Sequence, residues 1–107
     1  MCGISGIVGA GGNKSKITSM VDTLHHRGPD DNGYYINKDK SVGLGHNRLS
    51  IIDLSKDGHQ PMSNNDSSLW ISTNSEIYNY RELKDELKHS YNFRSKSDTE
   101  VLLRSYE

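Results

Sequence analysis

A single cysteine, Cys2, leaves the chain unable to form an intrachain disulfide. The basic start and apolar run of a secretory leader are missing, and no apolar stretch approaches the roughly 20 residues that span a membrane. These absences predict a cytoplasmic protein with no membrane partner. Charge of one sign is also lacking: 13 Lys and Arg stand among 14 Asp and Glu, for a formal charge of −1. There is no basic field for a phosphate backbone, so nucleic acid is excluded as an expected partner. Apolar residues are scarce, at about 36 % counting Gly and leaving out Tyr, against roughly 45–50 % in ordinary domains. That is thin for a self-sufficient core, and 107 residues allow at most one domain. The five histidines show no metal-ligand spacing and have only one cysteine to join them, so no metal is expected. The stretch Gly9-Ala10-Gly11-Gly12-Asn13-Lys14-Ser15 lacks the Gly-Lys pair of a phosphate-binding loop and reads as a flexible turn.

What is present starts at Met1-Cys2-Gly3. Removal of Met1 gives Cys2 a free α-amine beside its thiol. A thiol ordinarily titrates at about 8.5 and an α-amino group at about 7.7–8.0, so near neutral pH the amine can accept the thiol proton. Nucleophile and base then share one residue. On Met1-Cys2 alone, an ordinary buried thiol is the better reading.

Periodicity predicts an α+β fold. Cys2 to Val8 reads as a short, mostly buried strand with Ile4 and Val8 on one face and Ile7 on the other. Ile17, Met20, Val21 and Leu24 share a helix face, with Ser15 as cap and Gly28-Pro29 as stop. The polar turn from His26 to Asp31 reads as that helix stop. Tyr34 to Asn37 and Val42 to Arg48 are strands around Lys38-Asp39-Lys40, and Val42, Leu44, His46 and Arg48 share a face. Leu49 to Leu54 is an apolar run broken by Ser50 and Asp53, and Ser55 to Ser68 is a loop. Leu69 to Asn74 alternates as a strand. Asn79 with Glu82, and Ser97 with Glu100, resemble capping boxes that open two further helices. The chain stops inside the last of these without a cap or breaker, which predicts a longer parent protein.

Six blocks stand together in order: Met1-Cys2-Gly3-Ile4, His26-Arg27-Gly28-Pro29-Asp30, Gly45-His46-Asn47-Arg48-Leu49-Ser50, Gln60-Pro61-Met62, Asn74-Ser75-Glu76-Ile77-Tyr78-Asn79 and Ser97-Asp98-Thr99-Glu100. Together they resemble class II glutamine amidotransferases, and most closely the glutaminase domain of glutamine-hydrolysing asparagine synthetases. The Arg-Gly-Pro-Asp turn and the Glu-Ile-Tyr-Asn block point to that branch.

The resemblance implies an N-terminal-nucleophile αββα sandwich of antiparallel sheets, with residues 1–107 as its N-terminal portion. It implies that Cys2 attacks the side-chain amide carbon of glutamine, releasing ammonia and forming a glutamyl thioester that water resolves to glutamate. Asn74 and the backbone N–H of Ser75 match the oxyanion donors. Arg48 matches the cation that binds the substrate α-carboxylate, Glu76 and Asp98 match the carboxylates that bind its α-ammonium, and the backbone of Leu49, Ile51 and Ile52 lines the pocket. Each has a plain alternative: a helix cap for Asp98, a solvated turn for Glu76, a surface ion pair for Arg48. The chain itself implies no cofactor. ATP and Mg belong to a synthetase domain that this sequence lacks, in which the ammonia converts aspartate to asparagine.

The sequence departs from the family at Ser75, where glycine is usual. Glycine tolerates positive φ and close substrate approach, so Ser75→Gly is expected to raise glutaminase activity in a complete version of the enzyme. The absence of the family's later strands is expected to leave unpaired sheet edges and exposed apolar faces, favouring self-association. The alternative function is a truncated or degenerate, non-catalytic module for glutamine binding or interaction.

Overall fold

A computed structural model describes residues 1–9, 13–50 and 54–107. Three strands, β1 (Gly3–Val8), β2 (Asp31–Ile36) and β3 (Val42–Arg48), form an antiparallel sheet in the order β1-β3-β2. Helix α1 (Lys14–Thr23) covers one face, with Ile17 and Val21 buried over the glycines of β3. A Cβ on Gly45 would meet Val21 and Ser5, so its bare backbone lets the helix come close. Asn47 points to the same side and donates from Nδ2 to the carbonyl of Val21 at 2.9 Å.

The opposite face of β3 carries Val42, Leu44, His46 and Arg48, as their alternation predicts. The register Tyr35↔Leu44 and Gly33↔His46 adds Tyr35 and Gly33 to that face. A second antiparallel pair, β4 (Met62–Ser63) with β5 (Trp70–Ile71), lies against it. Tyr35 stacks on Trp70 with ring centroids 3.9 Å apart. Helix α3 (Asp98–Tyr106) packs beside β5, and α2 (Tyr80–Leu87) packs on α3. The mixed α+β class with antiparallel sheets is therefore observed.

Several expectations need correction. β1 is not mostly buried: Ile4 is 51 % and Val8 86 % exposed, and β1 is the edge of its sheet. α1 is capped by Asn13, whose Oδ1 accepts from Lys16 N–H at 2.9 Å, rather than by Ser15, which lies inside the helix. β2 starts at Asp31 because its polar first residues still pair with Arg48 and Asn47, a pairing with no hydrophobic signature. The expected loop from Ser55 to Ser68 contains a 3-10 turn (Lys56–Gly58) and β4. Of the expected strand from Leu69 to Asn74 only Trp70–Ile71 is strand; Leu69 O accepts from Asn64 N–H, and side chains hold residues 72–73. Neither capping box closes. Asn79 makes no side-chain cap bond. Ser97 caps α3 by accepting from Thr99 N–H, but Glu100 turns to the N–H groups of Arg94 and Ser95 and to Arg104.

No helix among the described residues is long and apolar enough to cross a membrane.

Candidate active site

The pairing Gly3↔Asn47 brings the start of β1 beside the exit of β3, and with it Cys2 beside Leu49. The N–H of Leu49 donates to Cys2 Sγ at 3.3 Å, and the thiol lies 3.7 Å from the carbonyl of the same residue. Arg27 Nε donates to the Cys2 carbonyl at 3.1 Å. The turn that follows Arg27 grips the exit of β3. Asp30 N–H donates to Arg48 O at 3.0 Å, and Asp30 Oδ2 accepts from Ser50 N–H at 2.9 Å. Gly28 sits so close to the backbone of Asn47 and Arg48 that any Cβ would collide with it. What reads in the sequence as a helix stop is thus a bracket that fixes Leu49 against the sulfur.

Arg48 is buried and its Nη1 donates to the carbonyl of Ser55 at 2.6 Å. Its guanidinium lies over Gly58, whose missing side chain makes the space. Among the described residues no carboxylate pairs with it, so it keeps donors for another acceptor. Asp98, at the start of α3, is also buried, and its Oδ2 accepts from Ile77 N–H at 2.9 Å, tying the segment after Asn74 to the helix.

The segment 72–75 is fastened almost wholly by side chains. Ser72 Oγ donates to Gly45 O at 2.9 Å. His46 Nε2 donates to Thr73 O at 2.9 Å, and Gln60 Oε1 accepts from Thr73 N–H at 2.8 Å. Thr73 Oγ1 donates to Ser75 Oγ at 2.9 Å. Asn74, Ser75 and Glu76 themselves are exposed. Among the described residues positive φ outside glycine is confined to Lys40 and Ser67, so Ser75 needs no glycine-like backbone and only close substrate approach remains as a reason for glycine there.

These parts surround one cavity of about 510 Å³. Of the nine candidate residues, Cys2, Arg48, Leu49, Asn74, Ser75, Glu76 and Asp98 line it. Ile51 and Ile52 lie outside the described residues. The volume falls in the range of small-molecule sites, and the lining holds both a cation, Arg48, and carboxylates, Glu76 and Asp98. Such a lining suits a zwitterion.

His46, which holds the Thr73 carbonyl behind the cavity, is shifted from its ordinary titration. Burial pushes its imidazole down, the Thr73 carbonyl opposes this, and the nearby His59 and Arg48 charges lower it further against Asp31. A neutral ring donating from Nε2 leaves Nδ1 as an unpartnered acceptor among the described residues. Close by, His59 Nδ1 and Asp31 Oδ2 are 2.6 Å apart. Among the described residues no three His, Cys, Asp or Glu side chains gather as a metal ion would require.

Sequence reasoning missed Gln60, Thr73 and Thr99 as lining residues, and Arg27 as the anchor of Cys2. Gln60 stood only in the Gln60-Pro61-Met62 block, inside a turn-rich stretch without periodicity.

The pattern of the glutamine amidotransferase domain family matches residues 1–107. Two asparagine synthetases (glutamine-hydrolysing) of Bacillus subtilis are similar to the chain. One is 42 % identical over 100 % of the chain and 15 % of its own length, the other 44 % identical over 99 % and 17 %. A glutamine-hydrolysing asparagine synthetase of Arabidopsis thaliana is 40 % identical over 100 % of the chain and 18 % of its own length. The chain thus spans less than a fifth of each of these relatives. With its whole length inside one family pattern, and its cavity walled by Cys2, Arg48 and Asp98, the chain belongs to the glutamine amidotransferase domain family.

Proposed function

We propose that the chain hydrolyses glutamine to glutamate and ammonia through Cys2, exposed by removal of Met1. The α-amine takes the thiol proton as Sγ attacks the substrate Cδ. The tetrahedral oxyanion accepts bonds from Asn74 Nδ2 and Ser75 N–H. Collapse expels ammonia with the proton the amine carried, leaving a glutamyl thioester. Water, deprotonated by the same amine, attacks it, and glutamate leaves as the thiol is restored. Arg48 holds the α-carboxylate and Asp98 with Glu76 the α-ammonium, while the backbone of Leu49, Ile51 and Ile52 completes the pocket. The frame is the N-terminal-nucleophile αββα sandwich. In a longer protein the ammonia passes to an ATP- and Mg-dependent domain that makes asparagine from aspartate.

The observation that carries this reading is the convergence of four distant stretches, ending in Cys2, Arg48, Asn74 and Asp98, on one cavity. The supporting detail is the donor at the sulfur from Leu49 and the lack, among the described residues, of a carboxylate paired with Arg48. The test is glutamate release from glutamine by the purified chain with Met1 removal verified by intact mass. Cys2→Ala abolishes release if the reading holds. No release from the wild-type chain overturns it and leaves a non-catalytic glutamine-binding module, and equal release from Cys2→Ala overturns the role of Cys2.

A further inference from the structure

Gln60 is buried, 7 % exposed, in the wall of the cavity, yet neither end of its amide is spare. Oε1 accepts from Thr73 N–H at 2.8 Å, and Nε2 donates to Thr99 Oγ1 at 3.2 Å. Thr73 directly precedes Asn74, and Thr99 directly follows Asp98. One side chain therefore ties the strand that carries Asn74 to the helix turn that carries Asp98. The strand needs such a tie, because its ladder bonds end with β5 at Ile71. Its remaining backbone anchor at Thr73 is the carbonyl, held by His46. With its N–H and C=O held by two buried side chains, Thr73 has the peptide on each side of it anchored at one end.

We infer that Gln60 is a positioning residue for glutamine hydrolysis, acting through Thr73 to aim the Asn74 donor, with Thr99 anchoring the other end of its amide. The inference rests on the proposed glutaminase reading. An amide is the suitable group because Thr73 offers a donor and Thr99 an acceptor. A carboxylate would satisfy the first and add a buried charge, and an apolar side chain would leave both unpaired. A misaimed oxyanion donor weakens the transition state more than the ground state, so the effect belongs in kcat.

The test is Gln60→Met, which keeps length and volume and removes both bonds. The expected result is a kcat for glutamine lowered roughly tenfold to a hundredfold, with KM within about twofold of wild type. Alkylation of Cys2 by iodoacetamide, which needs no oxyanion donor, proceeds at the wild-type rate. If Gln60→Met does not fold, Thr99→Val removes one of the two anchors, and a kcat lowered about threefold or more at unchanged KM is the expected result. Wild-type kcat in the variant, or a kcat loss matched by slower alkylation, overturns the inference while leaving the glutaminase reading intact. A wild-type chain that releases no glutamate overturns that reading and this inference with it.

Discussion

At the scale of single residues, glycines and one histidine set the site's geometry. Gly58 exists to let the Arg48 guanidinium lie flat over the backbone. Gly58→Ala is expected to displace Arg48 and raise KM for glutamine several-fold, with a smaller change in kcat, because the lost contact is made equally in ground and transition states. Steady-state kinetics check this, and an unchanged KM would separate Arg48 from substrate binding. His46 predicts a pH dependence. Its folded-state titration lies below the ordinary 6.5, so the unfolded chain binds the proton more readily. Stability is then fully present above about 6.5 and is lost as pH falls below that value. Urea midpoints measured from pH 7.5 to 5 should fall in wild type and flatten in His46→Gln. Asp39 and Asp66, held below the usual carboxylate range by Ser41 and Ser68, act in the same direction only near and below 3.8. Their window opens well below the pH at which the His46 contribution begins to be lost.

At the scale of elements, the two helix starts that look alike in sequence differ in structure. Ser97 caps α3, with Oγ accepting from Thr99 N–H at 3.1 Å, whereas Asn79 makes no such bond for α2. Ser97→Ala should cost about 1 kcal/mol of stability and Asn79→Ala only a few tenths, read as the difference in urea midpoint. Equal costs would mean that α2 is capped after all. The comparison also shows what the sequence can carry. The Val42–Arg48 strand and the α1 face of Ile17 and Val21 were legible because both bury a periodic apolar or glycine surface. β4 and the start of β2 were not, since Met62-Ser63 and Asp31-Asn32 owe their strand geometry to partners distant in the chain. Glu100 misled for a related reason. Its carboxylate is fully buried and serves Ser95, Arg94 and Arg104, a network that local spacing cannot reveal. The candidate site was legible through motif blocks rather than periodicity; Gln60 stood in one of those blocks, but its role, which depends on Thr73 and Thr99, was not legible there.

At the scale of the whole molecule, apolar groups are left uncovered. Ile4 and Val8 share the open face of an edge strand, and Tyr106 stands exposed at the end of α3. Replacing Ile4 and Val8 by Ser should lower the apparent mass in light scattering of concentrated solutions if this face drives self-association. An apparent mass equal to wild type would assign association to another surface. The account as a whole depends on Cys2 being the one reactive group in a cavity that recognises glutamine. The most direct measurement is intact-mass and peptide mapping of the chain after treatment with an electrophilic glutamine analogue, in the presence and absence of glutamine. The account predicts a single adduct on an N-terminal Cys2, slowed by glutamine, with iodoacetamide labelling of the same residue as the control for access. An adduct on another residue, or none while iodoacetamide still labels Cys2, would contradict it.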